Sequence, residues 1–513
     1  MKLLKTLRAG LVAGALATAA VVSPASAQAV DNQTLVVGTM WEALPYKMTA
    51  RRGRLFNEVE ILDTLVKLDY DMSLKPGLAT DWTQESPTEW VFTLREGVVF
   101  HDGEKLTAEV VKNSLAHVME LLPYASGLLA IDRMEAIDEI HLRIVTKVPF
   151  YGLPNQLTDA FTGIYAPSSF GPDGAFVKPV GTGPYMLKDY VEKSHTDVER
   201  FDEYWGEKPA IRTIRLRYIP DHNVRVIALE AGEIDLVDNP PPAEAKRLEA
   251  EGKQAVYRAP AAGLYYMVMN TRDNSPLSDV RVRRAVDRLI DRSLITDFAL
   301  DGAGYPGETF FSPELGGFPE EKPREVDPEA AAALLEQAGY SKTDGQWRKD
   351  GKPLVLDLVS YASRTEMPAI TEAVVALLAE AGIQATLNME TWGALVDRTK
   401  QSKFDGAIVF WTPEMTGHPD LHLMPHLHSS SNLDYNGYGN PALDALLEKG
   451  RSLPEGDARD ATYSQALEII VEDVPIVPLV HKMYLAAANK RLQGYRIHPS
   501  GFFYDFKNVH WTD

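Results

Sequence analysis

Two periods alternate along this chain. Ile140-His141-Leu142-Arg143-Ile144 and residues 214–218 switch between apolar and polar at each step, which predicts half-buried strands. The β-rich run Leu35-Val36-Val37-Gly38 predicts the first strand. Apolar residues three or four apart predict helices over 56–68, through Val59, Leu62, Leu65 and Val66, and over 107–118, behind the capping residue Thr107. The same spacing predicts helices over 224–231, closed by Gly232, and over 279–289 and 327–338. Residues 90–94 and 98–100 flank Glu96-Gly97 and predict a hairpin, and Asp102-Gly103 marks a further turn.

Farther along, the Gly/Pro-punctuated stretch 180–184 predicts a turn feeding a strand over 185–190. A second strand there ends in the aromatics Phe201, Tyr204 and Trp205. Residues 265–270 read as a strand. A strand at 354–360, a helix at 369–381 and a strand at 384–389 make a β-α-β unit, which implies a largely parallel sheet in the second half and an α/β fold class. Strands at 407–411 and 476–479 continue the pattern around a helix at 442–447. No internal repeat or low-complexity tract interrupts it.

Composition narrows the function. With 45% apolar and 24% charged residues the chain is ordinary globular protein, and 513 residues are too many for one core, so two or three domains are expected. A net charge of −20 argues against a nucleic-acid partner, which needs a basic footprint. Zero cysteines exclude disulfides and a lipidated N-terminal cysteine. Lys2, Lys5 and Arg8, the apolar stretch 9–22 and Ala25-Ser26-Ala27 have the organisation of a cleavable secretory signal over residues 1–27. The apolar run is too short to span a bilayer. A soluble protein of the Gram-negative periplasm is expected.

Several segments carry a resemblance. Leu74-Lys75-Pro76-Gly77-Leu78-Ala79-Thr80-Asp81-Trp82, Phe92-Thr93-Leu94-Arg95-Glu96-Gly97 with Val98 to Gly103, and Val180-Gly181-Thr182-Gly183-Pro184-Tyr185 occur in this order. Ala231-Gly232-Glu233-Ile234-Asp235 and Asp279-Val280-Arg281-Val282-Arg283-Arg284-Ala285 follow. Each alone is a turn or a helix start. Together, spread from Leu35 to Phe506, they resemble the extracytoplasmic solute-binding proteins of the peptide/nickel ABC-transporter class (family 5), of the dipeptide- and oligopeptide-binding type. The resemblance implies a two-lobed periplasmic binding protein with an inserted third subdomain and a two-strand hinge. Lobe I would comprise 28–72, 180–270 and 488–513, with 73–179 inserted, and lobe II 271–487. The hinge would be 265–270 and roughly 485–490. Such a protein captures a small peptide or peptide-like solute by hinge closure and hands it to an inner-membrane ABC permease. It is implied to be a monomer without cofactor or catalytic activity.

The resemblance also implies site residues. Trp392 and Trp411 fall where relatives place cleft aromatics, and Tyr124, Tyr265 and Tyr484 match further aromatic positions, though aromatics also build cores. Three residues past Trp411, Glu414 occupies the place of a carboxylate that pairs with a peptide's ammonium; a solvated loop glutamate is the other reading. Arg398 lies one position off a carboxylate-binding arginine, or is a snorkelling surface arginine. Arg52, within Arg51-Arg52-Gly53-Arg54, stands at the expected mouth of the cleft, where it would clamp an anionic group or remain a solvated turn.

His418, His422, His426 and His428 lie within eleven residues. Spacing of four would stack the first three on one helical face, as a metal site needs, but Pro419 and Pro425 interrupt such a helix. A nickel or metal-chelate binder of the same fold is therefore the alternative. Nickel-binding members place an arginine just before the Ala166-Pro167-Ser168 stretch, where Thr158 to Thr162 offers none. Gly302-Ala303-Gly304-Tyr305-Pro306-Gly307 imitates a dinucleotide fingerprint but follows a helix, with Pro306 where the next helix should begin. A secreted hydrolase using Glu414 and the histidines is the rival from another class, and no catalytic constellation supports it.

Overall fold

The computed structural model describes residues 33–45, 59–364, 366–431, 436–501 and 505–512. The signal segment 1–27, Arg52 and the side chain of Tyr124 lie outside them. One eleven-stranded sheet runs through the molecule. In spatial order its strands are Gln384–Glu390, Val355–Tyr361, Gly406–Trp411, Gln254–Met269, Ile476–Asn489, Leu236–Asp238, Thr34–Thr39, Thr213–Tyr218, His195–Arg200 and Tyr185–Val191. Gly304–Pro306 adds to the side of Ile476–Asn489.

Two strands are long because they serve both ends of the sheet. Gln254–Met269 has 16 residues and Ile476–Asn489 has 14, and they pair antiparallel. Gln254 to Pro260 pair with Asn489 to Met483, and Leu264 to Val268 pair with His481 to Ile476. Between Pro260 and Leu264 the register breaks, and the Ala262 N–H turns instead to the Pro499 carbonyl. The apolar residues sort on either side of that break. One buried cluster takes Leu35 to Leu236 together with Ala486 to Val509. Another takes Leu264 to Val480. Residues 265–269 belong to the second core, and the ladder break lies about five residues before the expected hinge at 265–270. On the partner strand the break falls at His481–Met483, before the expected 485–490.

In the second half Val355–Tyr361 pairs parallel with Gln384–Glu390 and with Gly406–Trp411, as the β-α-β pattern predicts. The connecting helix Met367–Ala381 buries Ile370, Val374 and Leu378, and closes on the left-handed Gly382. Thr107 caps Ala108–Leu121 by accepting the Val110 N–H.

Three local expectations fail. Residues 59–65 form an irregular buried loop rather than a helix. Their carbonyls serve other segments: Leu78 N–H bonds Thr64 O, Ile164 N–H bonds Asp63 O, and Gly183 N–H bonds Ile61 O. The backbone comes so close at Gly183 that a Cβ would lie 2.0 Å from Glu60 O. Residues 98–100 do not return as a hairpin strand; Glu89–Leu94 pairs instead with Ala79–Ser86 and His141–Thr146, in a four-stranded sheet. Pro419 and Pro425 do not prevent a helix either, since Asp420–Leu427 forms with Pro425 inside it.

Candidate ligand cleft

The three parallel strands of the second half all end facing the first half, and the candidate residues hang from those carboxyl ends. This is where open α/β sheets place ligands. Tyr361 ends the first strand, with Arg364 three residues on; Trp392 follows the second; Trp411 ends the third, with Glu414 three residues on.

Trp392 and Trp411 come together as expected, ring centroids 6.1 Å apart and nearly perpendicular. Trp392 is 41% exposed and also meets Tyr361 edge-on at 5.1 Å. The wall continues into the helix Asp420–Leu427: His426 lies 4.7 Å and His422 6.0 Å from the Trp411 ring. His422 packs against Phe310 and Tyr266 as well.

Glu414 is not the solvated carboxylate expected of an open cleft. It is 0% exposed, its Oε1 accepts the Ser312 N–H, and its Oε2 is buried without a hydrogen-bond partner. Ser312 Oγ beside it is likewise unpartnered. Burial pushes the carboxyl up to about 8, against the pull of the single Ser312 bond. The group is a neutral acid at pH 7.

On the neighbouring strand Tyr265 is wholly buried, its ring 4.8 Å from Phe410 and its hydroxyl without a partner. Arg364, which the sequence reading passed over, stacks on Phe410 at 3.8 Å, and its Nε is buried and unpartnered. Tyr265, Tyr361, Glu366 and Tyr484 are its electrostatic neighbours. The signal that finds Arg364 is positional: a cation four residues past the end of the parallel strand predicted at 354–360. Tyr484 is half-buried, with its hydroxyl end close against Gly501 and Lys482 Nζ 5.8 Å from its ring. Glu366 and Lys482 form a buried ion pair at 2.7 Å. Burial works to raise the Glu366 carboxyl, but the Lys482 ammonium prevails and holds it at about 2.

Arg398 does not reach the cleft. It is taken by Glu390 at 2.7 Å and by Asp357, and its Nε bonds the Lys403 carbonyl, so it ties strand ends to a helix. The four histidines do not converge. His422 and His426 pair, ring centroids 4.1 Å apart, as spacing of four on a helix requires. His418 precedes the helix and faces Tyr463 and Phe150. His428 follows it and turns to Ser430 and Glu448. Burial drives His418 down to about 3 and His426 down to about 4, and lowers His422 well below its ordinary value, so all three are neutral imidazoles. Among the described residues no group of three or more metal-ligating side chains is assembled. Arg52 and the Tyr124 side chain remain outside the described residues.

Residues 73–434 match the family model of bacterial extracellular solute-binding proteins, family 5 (middle region). The chain is 26% identical over 475 residues to the probable di/tripeptide-binding protein 5 of Pseudomonas aeruginosa (strain UCBPP-PA14), covering 86% of this chain and 88% of that protein. It is 28% identical over 523 residues to the glutathione-binding protein GsiB of Escherichia coli (strain K12), covering 97% and 98%. Among solved structures, NikA from Brucella suis in complex with Fe(III)-EDTA superposes with a TM-score of 0.85 at 26% identity, covering 93% of this chain and all of that one. The oligopeptide-binding protein AppA from Bacillus subtilis, in complex with a nonapeptide, superposes at 0.77 with 24% identity, covering 94% and 99%, a likeness of fold.

Proposed function

Starting from a chain that belongs to the bacterial extracellular solute-binding proteins of family 5, we propose that it captures a small peptide or peptide-like solute and delivers it to an inner-membrane ABC permease. The observation that carries this reading is a set of buried polar atoms that no group among the described residues satisfies. They are Glu414 Oε2 and Arg364 Nε, each three residues past the end of a parallel strand, Tyr265 OH on the neighbouring strand, and Ser312 Oγ beside Glu414. A buried donor or acceptor left without a partner costs about 1–3 kcal/mol, so four near one cleft are sites prepared for a ligand. A solute with an ammonium for Glu414 and an anionic group for Arg364 would complete both. The relatives named for di/tripeptide and glutathione binding favour that class.

In this reading 271–487 closes as one lobe against 28–72, 180–270 and 488–513, which carry 73–179 as a subdomain. The ladder break at Pro260–Leu264 is the point of bending. Residues 1–27 direct the chain to the periplasm, where it works as a monomer without catalysis. No helix of the described residues is long and apolar enough to cross a membrane.

Mass spectrometry of solute released by denaturing the freshly purified protein tests the class. A peptide carrying both charged termini is expected; a neutral sugar or a lipid would overturn the reading. One observation favours a metal chelate as a second reading: His422 and His426 stand side by side as neutral imidazoles, the form that ligates metal, and His422 Nε2 is unpartnered. Stoichiometric nickel or zinc by elemental analysis of protein purified without chelator would select it.

A further inference from the structure

The two halves also touch outside the crossing strands, where Gly417 lies against Met72 and Leu68, residues that cluster with Ala262 of the ladder break. Asn155 Nδ2 of the first half donates to Thr416 O of the second at 2.9 Å. The Tyr151 N–H donates to Arg451 O at 3.0 Å. The Arg451 guanidinium lies 4.3 Å from the Phe150 ring centroid and is held from behind by Asp420 Oδ2 at 3.1 Å. Gly152 rests on the His418 ring, where a Cβ would lie 3.1 Å from two ring carbons and 2.8 Å from Phe150 Cε2 of its own half. Phe150 and Leu153 are members of the first core, and Leu423, Leu447 and Tyr463 of the second, so each side of the seam is anchored in its own half.

We propose that this seam is a latch: Phe150, Tyr151, Gly152 and Asn155 hold Thr416, His418 and Arg451 so that the molecule stays mainly closed without ligand. Each contact is made between protein atoms and asks nothing of a solute. Two hydrogen bonds and one cation–π contact of ordinary net strength together favour closure roughly tenfold to a thousandfold. The latch restrains solute exit as well as entry, since both require it to part. It rests on the two-lobed fold and not on the identity of the solute, so a mistaken solute class leaves it standing.

Scattering on the full chain, stripped of solute by unfolding and refolding, tests this. Stripped wild type should keep the radius of gyration of the as-purified protein, and Arg451→Ala should enlarge it. If Arg451→Ala does not fold, Asn155→Ala replaces it. A stripped wild type already expanded, or variants as compact as wild type, would sink the proposal.

Discussion

Glu366 and Glu414 stand on the same half of the molecule, each just past the end of a parallel strand, and both are buried. Their surroundings set them apart. Glu366 has the Lys482 ammonium at 2.7 Å and is ionised far into acid. Glu414 has one backbone N–H and a second oxygen with nothing to bond, and holds its proton to about pH 8. A buried charge persists only where a counter-charge is fixed beside it; otherwise the group neutralises. Glu366 is therefore complete as built and works for the scaffold, placing Lys482 and the strand that carries Tyr484. Glu414 is incomplete, and among the described residues no cation stands beside it.

Breaking the complete pair should have the largest effect. Lys482→Met leaves Glu366 buried without its counter-ion and should cost about 3–5 kcal/mol of stability at pH 7. Adding Glu366→Gln should recover most of it. Denaturant titration of the single and double variants decides, and a single variant within about 1 kcal/mol of wild type would show that Glu366 draws its stability from elsewhere.

Glu414→Gln should act with opposite signs on the empty and the loaded protein. The folded carboxyl titrates near 8, above its ordinary value of 4.5, so the folded state binds the extra proton. The stabilisation is whole below pH 4.5 and is lost as pH rises through 8, by a few kcal/mol at most. Glutamine cannot ionise, so the ligand-free variant should be more stable than wild type at pH 8 and equal to it at pH 4.5. Affinity for a solute with an enclosed ammonium should instead fall by about 2–5 kcal/mol. Wild-type binding at pH 7 should release close to one proton, read by calorimetry in buffers of different ionisation enthalpy. Binding within twofold of wild type and without proton release would separate Glu414 from the solute altogether.

The smallest effect tests a residue on the wrong side of the comparison. Arg398 is satisfied by Asp357 and Glu390 at a partly exposed site. Arg398→Ala should lower stability by about 1 kcal/mol or less and leave affinity unchanged. A tenfold loss of affinity would return it to the cleft.

How far the sequence foretold this depends on what each residue answers to. The alternation at 140–144, the Thr107 cap and the β-α-β unit were legible because their signals are local and the core agrees with them. The loop at 59–65 has helical spacing, yet its carbonyls are claimed by residues 78, 164 and 183, which no local pattern announces. Pro425 argued against a helix that forms anyway, because Leu423 and Leu427 are buried in the second core and that packing outweighs the lost amide. The resemblance pointed to Trp392, Trp411, Glu414 and Tyr265, and the structure places them on neighbouring strands and the segments that follow. Burial cannot be read from a letter, so Glu414's protonation was invisible, and Arg364 went unnoticed although its place after a strand was plain.

The connectivity of the two cores also decides the order in which the chain can be assembled. The second core draws on residues 264–480, a continuous stretch, and can consolidate as soon as that stretch is available. The first cannot. Strand Leu236–Asp238 waits for Ala486 to Ala488 to close its open edge, and Leu35 and Leu216 share their core with Phe506 and Val509. Until the last part of the chain arrives, the earlier half keeps an unpaired strand edge and uncovered apolar surface, the features that invite association with other chains. A chain extruded from its beginning therefore finishes its first half last, and a truncation of a few dozen residues at the end should harm the part of the molecule made earliest.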